Sequence, residues 1–237
     1  VRYNVSLGLP LTRHEMVRAA LALLRLLGRP QGIPLSEFGD LLRMPYWSAD
    51  RSEADLRALV DAKLRERPGQ TLSIDTLLRV AKTLDTEGKG KLLHHLGVLK
   101  AAQLTLARPR KPSAWVIDFR GTLGQLGWPG ERKLSSTEFQ TRAAFFDALA
   151  ALAELDVFLG NIDISTATSE LGRLCKEKIF QPETLGQPAV QVLGLLEAKG
   201  AEFDALWVMG MNDQHWPPPA RPNPLLSAEL QRRHGTP

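Results

Sequence analysis

Along most of this chain apolar residues recur every three or four positions, and only near the two ends does the spacing shorten to two. In the first nine residues Val1, Tyr3, Val5, Leu7 and Leu9 alternate with Arg2, Asn4, Ser6 and Gly8, the period of a half-buried strand. Pro10 stops it. Thr12 and Glu15 then read as a capping box, the threonine oxygen accepting from a backbone N–H three residues on while the glutamate reaches back. The helix this predicts carries Val17, Ala20, Leu21, Leu24 and Leu27 on one face.

The helical period continues with little interruption. Ser52 opens a stripe of Leu56, Leu59, Val60 and Leu64 that Pro68-Gly69 breaks, and Ser73 opens another of Leu77, Leu78, Ala81 and Leu84. After the helix start "EGKGKLL", Leu92, Leu96 and Leu99 mark a further helix. Trp115, Phe119, Leu123 and Leu126 mark the next, which ends at a Gly127-Trp128-Pro129-Gly130 turn where Trp128 fills a gap. Ser135 and Glu138 form a second capping box ahead of a long helix through Phe139, Phe146, Leu149 and Leu152. Asp163 or Ser165 starts one more, through Ala167, Leu171 and Leu174, and Gln181-Pro182 ends it.

Past Pro188 strand character returns in two runs, Val190–Leu193 and Leu206–Met209, apolar enough for burial on both faces as in a parallel sheet. Strands at both extremities with helices between them predict a mainly α chain. A large helical insertion, residues 11–186, is attached to a small α/β part made of residues 1–10 and 187–237. Two or three strands are marginal alone, so the expectation is a fragment of a larger chain whose sheet has further strands.

Composition adds limits. The 237 residues are 43% hydrophobic and 24% charged, an ordinary globular balance that leaves little room for disorder. No apolar run approaches the roughly 20 residues that span a bilayer, and the start has no secretory pattern, so no membrane partner and a cytoplasmic location are expected. Cys175, the single cysteine, falls beside Leu171 and Leu174 on an apolar stripe and reads as core. The pair His94-His95 lacks zinc-ligand spacing, and no metal site is expected. A net charge of +4 with pI near 9.4 permits contact with a polyanion. The densest basic run free of acids, "KAAQLTLARPRKP", makes Lys100, Arg108, Arg110 and Lys111 the candidate DNA-binding residues, against the plainer alternative of a solvated loop.

The stretch "VQVLGLLEAKGAEFDALWVMGMNDQHWPPP" places Val190, Lys199, Gly200, Glu202, Phe203, Gly210 and Pro217 in one register. In that register it resembles the motif V region in the second RecA-like domain of superfamily 1 DNA helicases of the UvrD/RecB group. "VRYNVSLGLPLTRHEMVRAALALLRLL" is similar to the segment that leads from that domain into a helical insertion, and "LGWPGER" is similar to a feature of DNA repair proteins related to AddB and RecB. The resemblance implies double-strand-break processing by the full-length protein, with ATP and Mg as its cofactors and with DNA and a helicase-nuclease subunit as partners. It makes Lys199, Gly200 and Glu202 vestigial nucleotide-binding residues. The alternative gives Gly200 a positive-φ turn and Glu202 a solvated place.

The departures matter too. Gly194 and Leu196 stand where that family has a DNA-facing threonine and histidine, and neither can donate a side-chain hydrogen bond. The chain has no G-x-x-x-x-G-K-[ST] loop, and its acids fall mostly on polar helix faces instead of clustering as a two-metal nuclease requires. No catalytic residue and no cofactor of its own is therefore expected in this chain. The expectation is a non-catalytic scaffold that holds or guides DNA or packs on an active partner subunit. Part of an active ATP-dependent helicase and a purely structural interaction module are the alternatives.

Overall fold

A computed structural model describes residues 3–29, 31–66, 71–85, 87–88, 90–183, 188–213 and 222–235. The expectations resting on Val1, Pro68-Gly69 and Pro217 lie outside the described residues. The chain divides into two compact units, Val1–Leu193 and Gly194–Pro237.

The first unit is helical: α1 (Glu15–Leu27), α2 (Leu35–Arg43), α3 (Ala54–Arg65), α4 (Ile74–Leu84), α5 (Lys91–Thr105), α6 (Pro112–Gln125), α7 (Ser136–Glu154) and α8 (Ile164–Glu177). Its strands are short: β1 (Tyr3–Val5), β2 (Leu9–Pro10), β3 (Ile33–Pro34), β4 (Thr71–Leu72), β5 (Ile179–Phe180) and β6 (Val190–Val192). β1 and β6 pair in parallel, whereas β2 with β5 and β3 with β4 pair antiparallel. The second unit holds α9 (Ala228–Arg233), capped by Ser227, whose hydroxyl accepts from Leu230 N–H.

α1 is the axis of the body and touches α2, α5, α6, α7 and α8. Met16, Val17, Ala19, Ala20, Leu21, Leu23, Leu24, Leu26 and Leu27 are all buried, more than the single face its period predicted. Only the line Glu15, Arg18, Ala22 and Arg25 escapes full burial. A helix apolar nearly all round belongs inside other helices, and five neighbours supply that surface. α8 lies antiparallel to it. Gly28 at the end of α1 faces Ile164 and Ser165 at the start of α8, while Leu11 N–H, ahead of α1, donates to the Lys178 carbonyl beyond the end of α8 at 2.9 Å.

The predicted capping box at Thr12 does not form. Leu11 is fully buried and tied to Lys178, which winds Leu11–Arg13 into a 3-10 turn and moves the helix start to Glu15, with His14 at the cap and no side-chain cap bond. Three other caps form as expected. Ser73 accepts from Thr76 N–H, Asp163 accepts from Thr166 N–H, and Ser135 with Glu138 completes a reciprocal capping box. α3 starts after Glu53 rather than at Ser52, because the Ser52 backbone N–H and hydroxyl both go to the Glu131 carboxylate at 3.0 Å. Leu59 on α3 and Phe139 on α7 point outward, and the Arg142 guanidinium covers the Phe139 ring at 5.7 Å.

The segment "LGWPGER" pins the link between α2 and α3 onto the body. Trp128 is buried between Phe145 and Phe146 and its indole N–H donates to the Met16 carbonyl at 3.0 Å, so it fills the expected gap. Leu126 accepts from Ser48 N–H at 2.9 Å, and Glu131 N–H donates to Asp50 at 2.8 Å. At Gly130, φ is +100°, and a Cβ would stand 2.8 Å from the Pro45 carbonyl oxygen, so the close approach depends on glycine. Arg132 pairs with Glu138, stacks 5.2 Å from the Tyr46 ring centroid, and holds the Glu138 carboxyl down at about 2.

Three strand expectations are overturned. The alternation at the start is real, but its sense is inverted: Tyr3, Val5, Leu7 and Leu9 are the exposed positions, while Asn4, Ser6 and Gly8 are partly covered. The reason is local. A Cβ at Gly8 would meet the Ile179 side chain at 2.7 Å, and the Gln181 amide reaches Asn4 and the Val5 carbonyl, so the small and polar side is the one that fits β5. At the other end, 206–209 forms no strand. Leu206, Trp207, Val208 and Met209 are all exposed, with no neighbouring strand among the described residues to take their backbone groups. β6 does pair in parallel, but Val190 and Val192 are exposed instead of covered on both faces.

Candidate functional site

The basic run beginning at Lys100 separates into two kinds of residue. Lys100, on α5, pairs with Asp75 of α4. Arg110 is a clamp: its guanidinium donates to Asp118 at 2.6 Å, reaches the carbonyls of Thr105 and Arg108, and lies 4.9 Å from the Trp115 ring centroid. Its main chain exchanges two 3.0 Å hydrogen bonds with Ile162, joining the α5–α6 link to the approach to α8. Arg108 and Lys111 are exposed and carry no ion pair with any described residue. Two cations of the four thus carry no ion pair among the described residues, while Lys100 holds one at the surface and Arg110 one that is half-buried.

Lys199, Gly200 and Glu202 lie together on an exposed turn of the second unit. Glu197 accepts from Gly194 N–H at 2.8 Å, Ala198 N–H donates to the Gly194 carbonyl, and Ala201 N–H donates to the Ala198 carbonyl. Gly200 has φ +81° with nothing within 4 Å of where a Cβ would stand. Among the described residues no three His, Cys, Asp or Glu side chains gather to hold a metal ion. Cys175 is core, as its stripe predicted, and burial pushes its thiol up to about 12, where it is neither a nucleophile nor a ligand.

A concave surface lies elsewhere, between α1 and α8. It encloses about 550 Å³ and is lined by Arg25 and Arg29 from one side, Ser165, Ser169, Arg173 and Lys176 from the other. Gly28 brings the start of α8 close: a Cβ there would sit 3.2 Å from the Ile164 side chain and 3.9 Å from Ser165 N. Opposite, the Arg25 guanidinium stands 3.5 Å from the position of a Cβ on Gly172. A second hollow continues along α1 past Arg18 toward α2. The sequence signal was present: Arg18 and Arg25 share one line of α1, and Arg29 follows just past its end at helical spacing. It was missed because the matching wall comes from α8, far along the chain.

No helix among the described residues is long and apolar enough to cross a membrane. Set against protein-family models, curated protein sequences and solved structures, the chain matches none of them.

Proposed function

We propose that this chain is the helical insertion, with adjoining strands of a RecA-like domain, of a helicase-like protein of DNA double-strand-break processing, and that it holds or guides DNA without chemistry of its own. The observation that carries this reading is the path of the chain. It leaves one strand, builds the helical body, and returns as the neighbouring parallel strand, Tyr3 opposite Val190 and Val5 opposite Val192. A parallel pair needs a crossover, and here the whole helical body is that crossover. The exposed apolar residues on both strands fit a sheet that continues and is covered, since parallel sheets are normally buried on both faces. ATP, Mg and a partner helicase-nuclease subunit belong in this proposal to the full-length protein.

Arg108 and Lys111, exposed and without an ion pair to any described residue, supply DNA contact in this reading. The chain is expected to bind DNA with an affinity that falls steeply with salt, to weaken on R108E/K111E, and to hydrolyse no ATP with DNA and Mg present. Binding indifferent to salt would sink the DNA reading; ATP turnover would favour a motor. One observation favours the second reading, a protein-interaction module: Leu196, Trp207 and Met209 are each more than four-fifths exposed. That reading gains if the chain ignores DNA.

A further inference from the structure

We infer that the cleft between α1 and α8 is a binding track for the phosphodiester backbone of a single nucleic-acid strand. Its lining contains four cations, Arg25, Arg29, Arg173 and Lys176, and no carboxylate. Arg29 is paired with Glu37, and Arg173 with Glu170 and Glu177, all three acids lying outside that lining. Arg25 and Lys176 have no ion pair with any described residue. Arg25 on one wall and Lys176 on the other leave unbalanced positive charge in a concave surface, and an incoming polyanion lowers the potential that it creates.

The shape selects the ligand further. From Ser165 to Lys176 the α8 wall spans about 16 Å at 1.5 Å per residue. That is long enough for more than one phosphate of a single strand. Ser165 and Ser169 place hydroxyls at intervals on that wall, where they serve as neutral donors to phosphate oxygens. No aromatic side chain lines the cleft, so bases have nothing to stack on and sequence is not read. Such a track binds any sequence and depends strongly on salt.

This inference rests on the proposed function only in making DNA the natural source of the strand; the cleft and the Arg108–Lys111 edge share no lining residue and are tested by separate variants. The test is a titration of a fluorescent oligo(dT) and a mixed-sequence strand against the parent chain, R25Q/K176Q, S169D and R108E/K111E, each shown by circular dichroism to be folded. R25Q/K176Q is expected to bind about tenfold more weakly at moderate salt, with a log–log salt slope shallower by about 1.4, two contacts at about 0.7 each. S169D removes no cation, yet it too is expected to bind several-fold more weakly, and both strands are expected to bind alike. If both cleft variants bind like the parent, the inference is overturned; loss in R108E/K111E alone then leaves the proposed function standing. Displacement of the strand by millimolar inorganic phosphate at matched ionic strength would mark a single-phosphate site and overturn the track.

Discussion

Arg57 is 3% exposed and still charged at neutral pH, burial bringing it down only to about 10. Its guanidinium donates to the carbonyls of Leu41, Leu42, Met44 and Trp47 and stacks 5.2 Å from the Trp47 ring centroid, so it closes the end of α2 and the turn after it. Removing it strands buried acceptors, each worth about 1–3 kcal/mol when left unpaired. Arg57→Met is therefore expected to destabilise by about 3 kcal/mol in urea unfolding. Arg43→Met, at a half-exposed surface pair with Asp40 and Asp61, should cost about 1 kcal/mol or less. Equal effects would remove the distinction. In the sequence Arg57 is one more charged position in a helical window; what sets it apart is the carbonyls of a neighbouring helix end, which spacing does not show. The ion pairs of Lys100 with Asp75 and of Arg110 with Asp118 are hidden in the sequence in the same way.

At the scale of elements, the helices follow local rules wherever the caps do. Ser135→Ala breaks a formed capping box and is expected to cost about 1 kcal/mol, whereas Thr12→Ala, at a box that never forms, should stay within about 0.5 kcal/mol. Chemical denaturation of the two variants tests this directly, and a larger loss at Thr12 would contradict the observed helix start. α2 has a legible stripe in Phe38, Leu41 and Leu42, but it is short and begins behind a proline with no capping side chain, so nothing announced it. The strands were harder to read for a physical reason. Alternation says that two sides differ, and only the neighbours say which is covered: Gly8 against Ile179 decides it at the start, and nothing among the described residues covers 206–209.

Over the whole molecule, every buried apolar residue among those described lies between Leu11 and Cys175. A chain ended after Leu193 therefore loses no described part of that core, and it is expected to melt within about 3 °C of the full chain. Melting well below that would show that the second unit supports the first. The mainly helical architecture was legible because helical periodicity is local. The cleft was not, because its two walls come from α1 and α8, which lie far apart along the chain.

The pairing of β1 with β6 also sets how the body responds to a pull. The strands run the same way, so traction on the chain before Tyr3 and after Val192 draws them in opposite directions along their length. Their hydrogen bonds, including the one from Ser6 N–H to the Val192 carbonyl, are loaded together in shear rather than opened one after another like a zip. Tension carried between the two ends thus passes across this pair and bypasses the helices, which keep their packing while the load is borne at their root.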